Sequence, residues 1–243
     1  MRIPRLTLAT AALVVAIFIL PGAGESLDWH RDDSGMTSWV TALTAHLTHW
    51  NLPHLGFDLL AWLVLGSMVE THSRRLWGWT VGLAAGLVSL FVFLAAPEIT
   101  IYRGLSGIDS ALFIASAITI HTRAKLRGDH LMGLIALGCI LTITGKIIWE
   151  WTTGTPLFAR GGGFTAVPQA HLAGAVAGWI AVWVTRKKPP GPSARIHLQT
   201  TRFPSSNAKG SRRAPSTGIA AATTWCDRES VIQWAQIARL HNL

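Results

Sequence analysis

Two short segments of this sequence carry the residue types needed for nucleophilic catalysis. One holds Gly104, Ser106 and Gly107 at the start of an apolar run, and the other holds His171 at the start of a later run. A serine hydroxyl becomes an effective nucleophile when a histidine within hydrogen-bond reach takes up its proton. Because glycine-flanked serines also serve close packing of membrane helices, neither segment is decisive alone. Together they predict that Ser106 and His171 form a catalytic pair.

Small residues around His171 indicate how the two segments could meet. Ala170, Gly174 and Gly178 recur every four residues, so they lie on one face of a helix. Such a stripe lets two helices approach each other closely. We therefore expect Gly174 and Gly178, with Gly107 on the facing helix, to pack the two helices and bring the catalytic pair together.

A third polar segment leads into an earlier apolar run and holds His46, His49, His54 and Asp58. His54 and Asp58 are four residues apart and share a helix face, and a polar pair inside an apolar run is costly unless it has a function. We expect His46 to be a solvated loop residue. A metal site on His46, His49 and His54 is the alternative, but no cysteine or carboxylate lies within the run 46–54 that holds them. We predict no metal and no cofactor.

The composition indicates that lipid is the solvent for most of the chain. Half of the 243 residues are apolar, the mean hydropathy is +0.37 and only 14% of the residues are charged, against about 25% in soluble domains. The net charge of +9 comes from 21 Lys and Arg against 12 Asp and Glu. Most of this basic excess lies in short connections and near the C-terminus, which favours membrane topology over nucleic-acid binding. We expect the lipid bilayer as a partner and no nucleic acid.

Six apolar runs predict an all-α membrane protein with six transmembrane helices. A bilayer core of about 30 Å takes roughly 20 helical residues, and backbone groups in hydrocarbon must be satisfied internally. The runs are Leu6–Leu20, Leu52–Val69, Leu76–Ala96, Leu105–Ile120, Leu131–Ile148 and Val167–Thr185. The fourth run has only about 16 residues, or about 24 Å of helix. Its first turn, with Ser106, is therefore expected below the membrane surface, lowered by the connection Pro97–Arg103.

The chain is expected to divide into a membrane domain at 1–188 and a basic tail at 189–243. The tail begins with closely spaced prolines and continues with Ser, Arg and Pro, a composition typical of disorder. Its last part, Trp225–Leu243, has the pattern of a short amphipathic helix. Cys139 and Cys226 lie in very different contexts, so we expect no disulfide between them.

Lys and Arg in the connections predict that both termini are cytoplasmic. Ten basic residues fall on one side and three on the other, and the richer side is the cytoplasmic one. The ten are Arg2, Arg5, Arg74, Arg75, Arg123, Lys125, Arg127, Arg186, Lys187 and Lys188, and the three are Arg31, Arg103 and Arg160. Helices two, four and six then begin on the outer side, which places His54, Ser106 and His171 near one face. A secretory signal at Met1–Gly24 is the alternative; its removal would leave five spans.

In these three segments the sequence resembles the rhomboid family of intramembrane serine proteases, over about residues 40–185. The family's motif positions correspond, in chain order, to His49, His54, Asp58, Glu70, Gly104, Ser106, Gly107, His171, Ala173, Gly174 and Gly178, of which Asp58 alone differs from the family's residue type. The resemblance implies a six-helix rhomboid-like bundle with Ser106 as nucleophile and His171 as its base. It also implies membrane-anchored protein substrates and a multi-pass protein of the bacterial inner membrane whose active site opens to the outer side.

Asp58 departs from the family pattern, in which an asparagine at this position helps to stabilise the oxyanion. An ionised carboxylate cannot donate a hydrogen bond and would repel developing negative charge. Either Asp58 carries a proton, which desolvation favours, or it orients His54. We favour orientation, with His54 and the backbone N–H of Ser106 forming the oxyanion hole that the resemblance implies.

Some residues resemble one branch of the family, the rhombosortases, which process proteins with a C-terminal Gly-Gly-type sorting anchor. The run from Pro168 to Gly174 and the spacing of Lys146, Glu150 and Gly154 carry this resemblance. Lys146 and Glu150 are four residues apart, so we expect an intrahelical ion pair with a snorkelling lysine.

The same residues are compatible with other interpretations. Asp109, three residues after Ser106, either tunes the site or bonds to a neighbouring helix. A catalytically inactive rhomboid-like protein that binds transmembrane segments would keep the scaffold but could dispense with Ser106 or His171. A His-rich membrane protein that binds metal is the remaining alternative.

Overall fold

The computed structural model describes residues 3–157 and 165–186, which fold into packed helices with one short strand pair. The helices are α1 (Arg5–Ile19), α2 (Ala23–Leu27), α3 (Gly35–Thr44), α4 (Leu52–Ala61), α5 (Ser67–His72), α6 (Arg74–Ala95), α7 (Ser106–Arg127), α8 (His130–Thr153) and α9 (Pro168–Thr185). A π-helical turn, Trp62–Gly66, joins α4 to α5, so one helix runs from Leu52 to His72. The strands are β1 (Trp29–His30) and β2 (Ile101–Tyr102).

Three of the described helices are long and apolar enough to cross a membrane: Leu52–His72, Arg74–Ala95 and His130–Thr153. The helix α1 is apolar but shorter, at 15 residues. Helices α7 and α9 coincide with predicted apolar runs, but polar side chains such as Asp109 and His171 lower their hydropathy. Each predicted run therefore corresponds to a helix, and the crossing of the bilayer by all six stays a prediction.

Helix α7 is longer than predicted. It does not end at Ile120 but continues to Arg127, because the intervening residues are largely good helix formers. Gly128, with a φ of 70°, then ends it. With 22 residues the helix is about 33 Å long. The prediction of a short fourth helix is therefore wrong, and helix length does not lower Ser106 into the membrane.

Side-chain caps start three of the long helices. Asn51, Ser73 and Asp129 each accept a hydrogen bond from a backbone N–H in the first turn of α4, α6 and α8, at 2.9, 3.2 and 3.0 Å respectively. These caps satisfy N–H groups that have no intrahelical partner. At its other end α8 continues past the predicted end at Ile148 to Thr153.

The connection between α1 and α4 contains structure that the apolar pattern did not reveal. It holds α2, β1 and α3, and β1 pairs antiparallel with β2 through Trp29 opposite Tyr102. Arg31 follows β1 and donates to the carbonyls of Val92 and Ala96 at 3.0 and 2.8 Å. Carbonyls at the end of a helix lack intrahelical donors. The strand pair and the arginine therefore tie this connection to the start of α7 and the end of α6.

Glycines set the closest helix contact, which is between α7 and α9. A Cβ atom at Gly174 would overlap the carbonyl oxygen of Gly107, and one at Gly178 would overlap that of Ala111. Any larger residue would force the two backbones apart. Both α7 and α9 also pack on α6, whereas α8 packs mainly on α7. Helices α6, α8 and α9 therefore all pack against α7.

The carboxylate of Glu70 holds the start of α1. It accepts hydrogen bonds from the backbone N–H groups of Leu6 and Thr7 at 3.1 and 2.8 Å and from the Thr7 hydroxyl at 2.9 Å. Glu70 is buried. A negative charge at a helix N-terminus is favoured by the helix dipole and by charge-assisted hydrogen bonds. Trp62 adds a hydrogen bond from its indole N–H to the Thr7 carbonyl at 2.9 Å.

Some predictions fall outside the described residues and stay predictions. These concern the C-terminal tail at 189–243, the amphipathic helix Trp225–Leu243, Cys226, and the basic residues Arg2, Arg160, Lys187 and Lys188. The division of the chain after residue 188 is among them.

Candidate active site

The first turns of α7 and α9 place a serine beside a histidine. Ser106 is the first residue of α7, and His171 lies in the first turn of α9. The Ser106 Oγ lies 3.0 Å from His171 Nε2, which is hydrogen-bond distance. His171 is buried. The close approach of the two helix backbones at Gly107 and Gly174 permits this short distance.

The other ring nitrogen of His171 faces an acid from α8. Glu150 Oε2 lies 2.6 Å from His171 Nδ1, and Lys146 Nζ lies 2.8 Å from the same Oε2 and 3.1 Å from Nδ1. The predicted ion pair of Lys146 with Glu150 is present. The expectation of a snorkelling lysine is wrong, since the Lys146 side chain is only 14% exposed. It points inward because Glu150 and His171 offer polar partners there.

Three nitrogens converge on one carboxylate oxygen of Asp58. Oδ2 accepts a hydrogen bond from the backbone N–H of Leu105 at 3.0 Å, and it lies 3.2 Å from His49 Nε2 and 3.4 Å from His54 Nε2. Leu105 directly precedes Ser106, so the acid holds the backbone at the start of α7. Asp58 contacts His54, as an orienting role requires, but its shorter contacts are with Leu105 and His49.

Gly104 lets the ring of His54 lie against the backbone before Ser106. Its φ of +122° is a conformation that residues with a Cβ rarely adopt. A Cβ atom there would also lie 2.8 Å from Cε1 and 2.9 Å from Nε2 of His54. The Gly104 N–H donates to the carbonyl of Ala45 at 3.1 Å, which holds this loop to the connection between α1 and α4.

His46 is buried, so the expectation of a solvated loop residue is wrong. Its Nε2 lies 3.1 Å from both the Ala85 carbonyl oxygen and Ser89 Oγ on α6, and its ring meets the edge of Tyr102. Burial lowers the pKa of His46 to about 4, and hydrogen bonds to the backbone at Ala85 and Gly104 offset only part of this effect. Burial likewise raises the pKa of the Tyr102 phenol. A neutral His46 therefore links the connection between α1 and α4 to α6.

A cavity of about 740 Å³ opens beside the pair of Ser106 and His171. Apolar side chains such as Phe57 and Val64 form part of its wall. Asp109, one turn after Ser106, is buried at this cavity, and neither of its carboxylate oxygens has a hydrogen-bond partner among the described residues. Within 3–157 and 165–186, no group of three or more His, Cys, Asp or Glu side chains is arranged to hold a metal ion.

The structure brings the predicted site residues into one place. His54, Asp58, Ser106 and His171 all line the same cavity, and Gly104 lies against the first two. Glu150 is the member that sequence reasoning missed. The sequence feature that could have indicated Glu150 is a carboxylate one turn from a lysine in an apolar helix. Spacing along α8, however, could not show that this carboxylate faces α9.

The apolar helices and the polar site enclosed among them define a helical membrane protein. The family model of the Rhomboid domain matches residues 36–188, which is more than half of the chain. The chain therefore belongs to the rhomboid family. It is similar to Rhomboid-like protein 11, chloroplastic, of Arabidopsis thaliana, with 27% identity over 158 residues, or 63% of this chain and 54% of the relative. The chain spans about half the length of this curated relative.

Proposed function

We propose that this protein is an intramembrane serine protease that hydrolyses a peptide bond in or next to the transmembrane anchor of membrane-bound proteins. The observation that carries the proposal is the 3.0 Å contact between Ser106 Oγ and His171 Nε2. The pair lies beside a cavity large enough to receive a peptide segment. Membership of the rhomboid family supports the same reaction.

In the proposed reaction His171 acts first as a base and then as an acid. Nε2 takes the hydroxyl proton of Ser106 while Oγ forms a bond to the substrate carbonyl carbon, and the π electron pair moves to the carbonyl oxygen. When this oxyanion collapses, the C–N bond breaks and Nε2 gives the proton to the leaving amine. Water then attacks the acyl-enzyme in the same way and regenerates the Ser106 hydroxyl.

The oxyanion hole in this proposal consists of His54 and the backbone N–H of Ser106. Ser106 opens α7, and the first N–H groups of a helix have no intrahelical acceptor and lie at its positive end. The glycine at 104 allows the His54 ring close to this backbone. Asp58 holds the ring and the Leu105 N–H, and it does not itself donate to the oxyanion.

The cavity supports a substrate segment that is extended and partly apolar. Phe57, Val64 and Ile143 contribute apolar wall, while polar groups gather near Ser106. A transmembrane anchor that unwinds locally presents this combination of apolar side chains and free peptide groups. We include C-terminal Gly-Gly-type sorting anchors in the proposal and place the chain in the rhombosortase branch.

The proposed membrane domain is residues 1–188, with six spans and both termini in the cytoplasm of a bacterial cell. The positions of two arginines support this arrangement. Arg123 near the end of α7 contacts His72 at the end of α5, and Arg74 at the start of α6 lies 3.7 Å from Glu70. These basic side chains thus share the end of the helices that is opposite to the start of α7, as the positive-inside rule requires.

Cleavage by single variants tests the proposal. The assay uses purified protein in liposomes with a reporter that carries a Gly-Gly-type C-terminal anchor. Ser106→Ala and His171→Ala should each lower kcat by about 1,000-fold or more, and the double variant should be no worse, because the two residues act as a unit. The matched control is Ser116→Ala, which removes another buried hydroxyl from α7 and should keep the wild-type rate.

Labelling by a fluorophosphonate probe makes the test independent of the choice of substrate. The wild type and Ser116→Ala should be labelled, and Ser106→Ala should not. Appreciable cleavage by Ser106→Ala, or a folded wild-type protein that the probe does not label, would refute the serine-protease proposal.

A further inference from the structure

The shortest side-chain contact of the site joins His171 to Glu150 and not to Ser106. Oε2 of Glu150 lies 2.6 Å from Nδ1 of His171, and the residue is 1% exposed. The two residues belong to different helices, α8 and α9, so helix geometry does not impose the contact. A charge-assisted hydrogen bond at this distance is a strong one.

The remaining contacts of Glu150 are with a lysine and a backbone N–H. Lys146 Nζ lies 2.8 Å from each carboxylate oxygen, and the backbone N–H of Leu157 donates to Oε1 at 3.3 Å. The carboxylate therefore has a partner for each oxygen before His171 is counted. Its Oε2 is shared between the Lys146 ammonium and the His171 imidazole. The ammonium, the carboxylate and the imidazole therefore form one chain of contacts that ends at Ser106.

We propose that Glu150 is a positioning residue for His171, so that Ser106, His171 and Glu150 form a serine–histidine–acid triad. This inference rests on the proposed protease function, because the triad has a role only if His171 is the base for Ser106. It goes beyond the two-residue mechanism proposed above.

The physical reason is the choice of tautomer. Neutral imidazole carries one proton, on Nδ1 or on Nε2, and only the Nδ1–H form has a lone pair on Nε2 to accept the Ser106 proton. The Glu150 carboxylate accepts a hydrogen bond from Nδ1–H and so selects that form. When Nε2 takes the serine proton, the Nδ1–H bond to the carboxylate persists and the new imidazolium faces a negative charge. No proton passes to Glu150.

Lys146 sets the limit of this effect. Its ammonium balances the charge of Glu150 in a buried site, and a buried carboxylate without such a partner is unfavourable. The same ammonium lies 3.1 Å from His171 Nδ1 and opposes charge on the imidazole. Glu150 therefore has two separable effects: it orients the ring, and it neutralises the lysine.

Four variants separate these effects in the liposome assay: Glu150→Gln, Glu150→Asp, Glu150→Gln combined with Lys146→Met, and the surface control Glu25→Gln. Glu150→Gln keeps size and polarity but can hold the wrong tautomer, so kcat should fall about 100- to 10,000-fold, with KM within about threefold of wild type. Glu150→Asp keeps the charge but withdraws it by one methylene and should give an intermediate kcat. Glu25 is exposed on α2, and Glu25→Gln should leave both constants unchanged.

The double variant decides between orientation and charge balance. If Glu150 acts through the His171 tautomer, removal of the lysine charge should not restore kcat. Restoration of the wild-type kcat by Lys146→Met in the Glu150→Gln background would overturn the proposal. A wild-type kcat in Glu150→Gln would also overturn the proposal. If Glu150→Gln does not fold, a wild-type kcat in Glu150→Asp would overturn it instead.

Fluorophosphonate labelling distinguishes failure of the triad from failure of the protease proposal. Glu150→Gln should be labelled slowly but to the same final extent as wild type, whereas Ser106→Ala should not be labelled. If Ser106→Ala abolishes labelling and cleavage while Glu150→Gln reacts at the wild-type rate, the triad is wrong and the protease stands. If Ser106→Ala still cleaves, the protease proposal itself is wrong.

Discussion

Acid should destabilise this protein through His46, a residue outside the candidate catalytic pair. The folded protein holds His46 buried and neutral against α6, with a pKa of about 4. In the unfolded chain a histidine titrates near 6.5. Between these two values the unfolded chain binds a proton that the folded protein does not. The free energy of unfolding therefore falls as the pH falls through this window.

The magnitude follows from the two pKa values. A folded pKa of about 4 against about 6.5 in the unfolded chain corresponds to roughly 3 kcal/mol once the pH is below both values. At pH 5 the loss relative to pH 7.5 is about 2 kcal/mol by the same relation. For a protein of this size a change of about 2 kcal/mol lowers Tm by roughly 4–8 °C.

The assay is thermal unfolding in detergent micelles, followed by tryptophan fluorescence at pH 7.5 and pH 5. Other groups also titrate in this range, so the informative quantity is the difference between variants. His46→Gln removes the titrating ring while keeping a side-chain N–H that can reach the Ala85 carbonyl. It should be less stable than wild type at pH 7.5, with a smaller drop in Tm on acidification. His130→Gln is the matched control, since His130 is exposed, and it should keep the wild-type drop.

The result that refutes this reasoning is an equal pH dependence in His46→Gln and wild type. It would mean that His46 does not stay neutral in the folded protein at pH 5, or that its loop opens before the ring is protonated. A smaller drop in Tm in His130→Gln than in the wild type would likewise contradict the assignment of this pH dependence to His46.

Two further predictions concern the backbone around Ser106 and the helix contact beneath it. Asp58→Asn keeps an acceptor for the Leu105 N–H but loses the charge that faces His49 and His54, so kcat/KM should fall about 10-fold. This is less than the 100- to 1,000-fold fall expected for His54→Ala, which removes an oxyanion donor. An undiminished kcat/KM in Asp58→Asn would contradict the proposal that Asp58 holds His54 and the Leu105 N–H. Gly174→Ala should lower the free energy of unfolding by about 1–3 kcal/mol, since its Cβ would overlap the α7 backbone. Gly138→Ala, whose Cβ meets nothing within 4 Å, should not lower it. Equal stabilities of the two variants in SDS titration would show that α7 and α9 can separate without loss of stability.

The helices were predictable because the apolar runs are long and their ends carry local signals. Ser73 and Asp129 are caps of a usual type. The end of α7 was placed too early because hydropathy, and not helix propensity, set the predicted boundary. The polar residues after Ile120 remain helical until Gly128. Hydropathy identifies the part of a helix that lipid can surround, and this part is shorter than the helix itself.

The site was predictable where a residue type and its neighbours in sequence fit few functions, as for the glycine-flanked Ser106 and for His171 beside its stripe of small residues. It was not predictable where the partner lies on another helix. His46 has the sequence context of a loop, yet it lies in a 3₁₀ turn, Ala45–Leu47, that follows α3 and brings its ring to the Ala85 carbonyl of α6. Glu150 has a sequence partner in Lys146, and this local pair concealed its contact with α9. Local spacing identifies pairs within a helix, whereas a contact between helices depends on rotations that no short motif encodes.

The contact of Glu150 with His171 also links chemistry to the packing of α8. The buried residues of α8 are few, and Glu150 is the last of them before the helix ends at Thr153. An apolar cluster of Ile114, Ile143 and Ile147 holds α8 against α7, but the contacts of α8 with α9 are sparse. In lipid, apolar side chains lose little by facing the bilayer, so polar contacts carry more of the specificity of helix association. Glu150 therefore both contacts His171 and holds the last turn of α8. Variants of Glu150 and of His171 require stability measurements before a loss of turnover is assigned to chemistry.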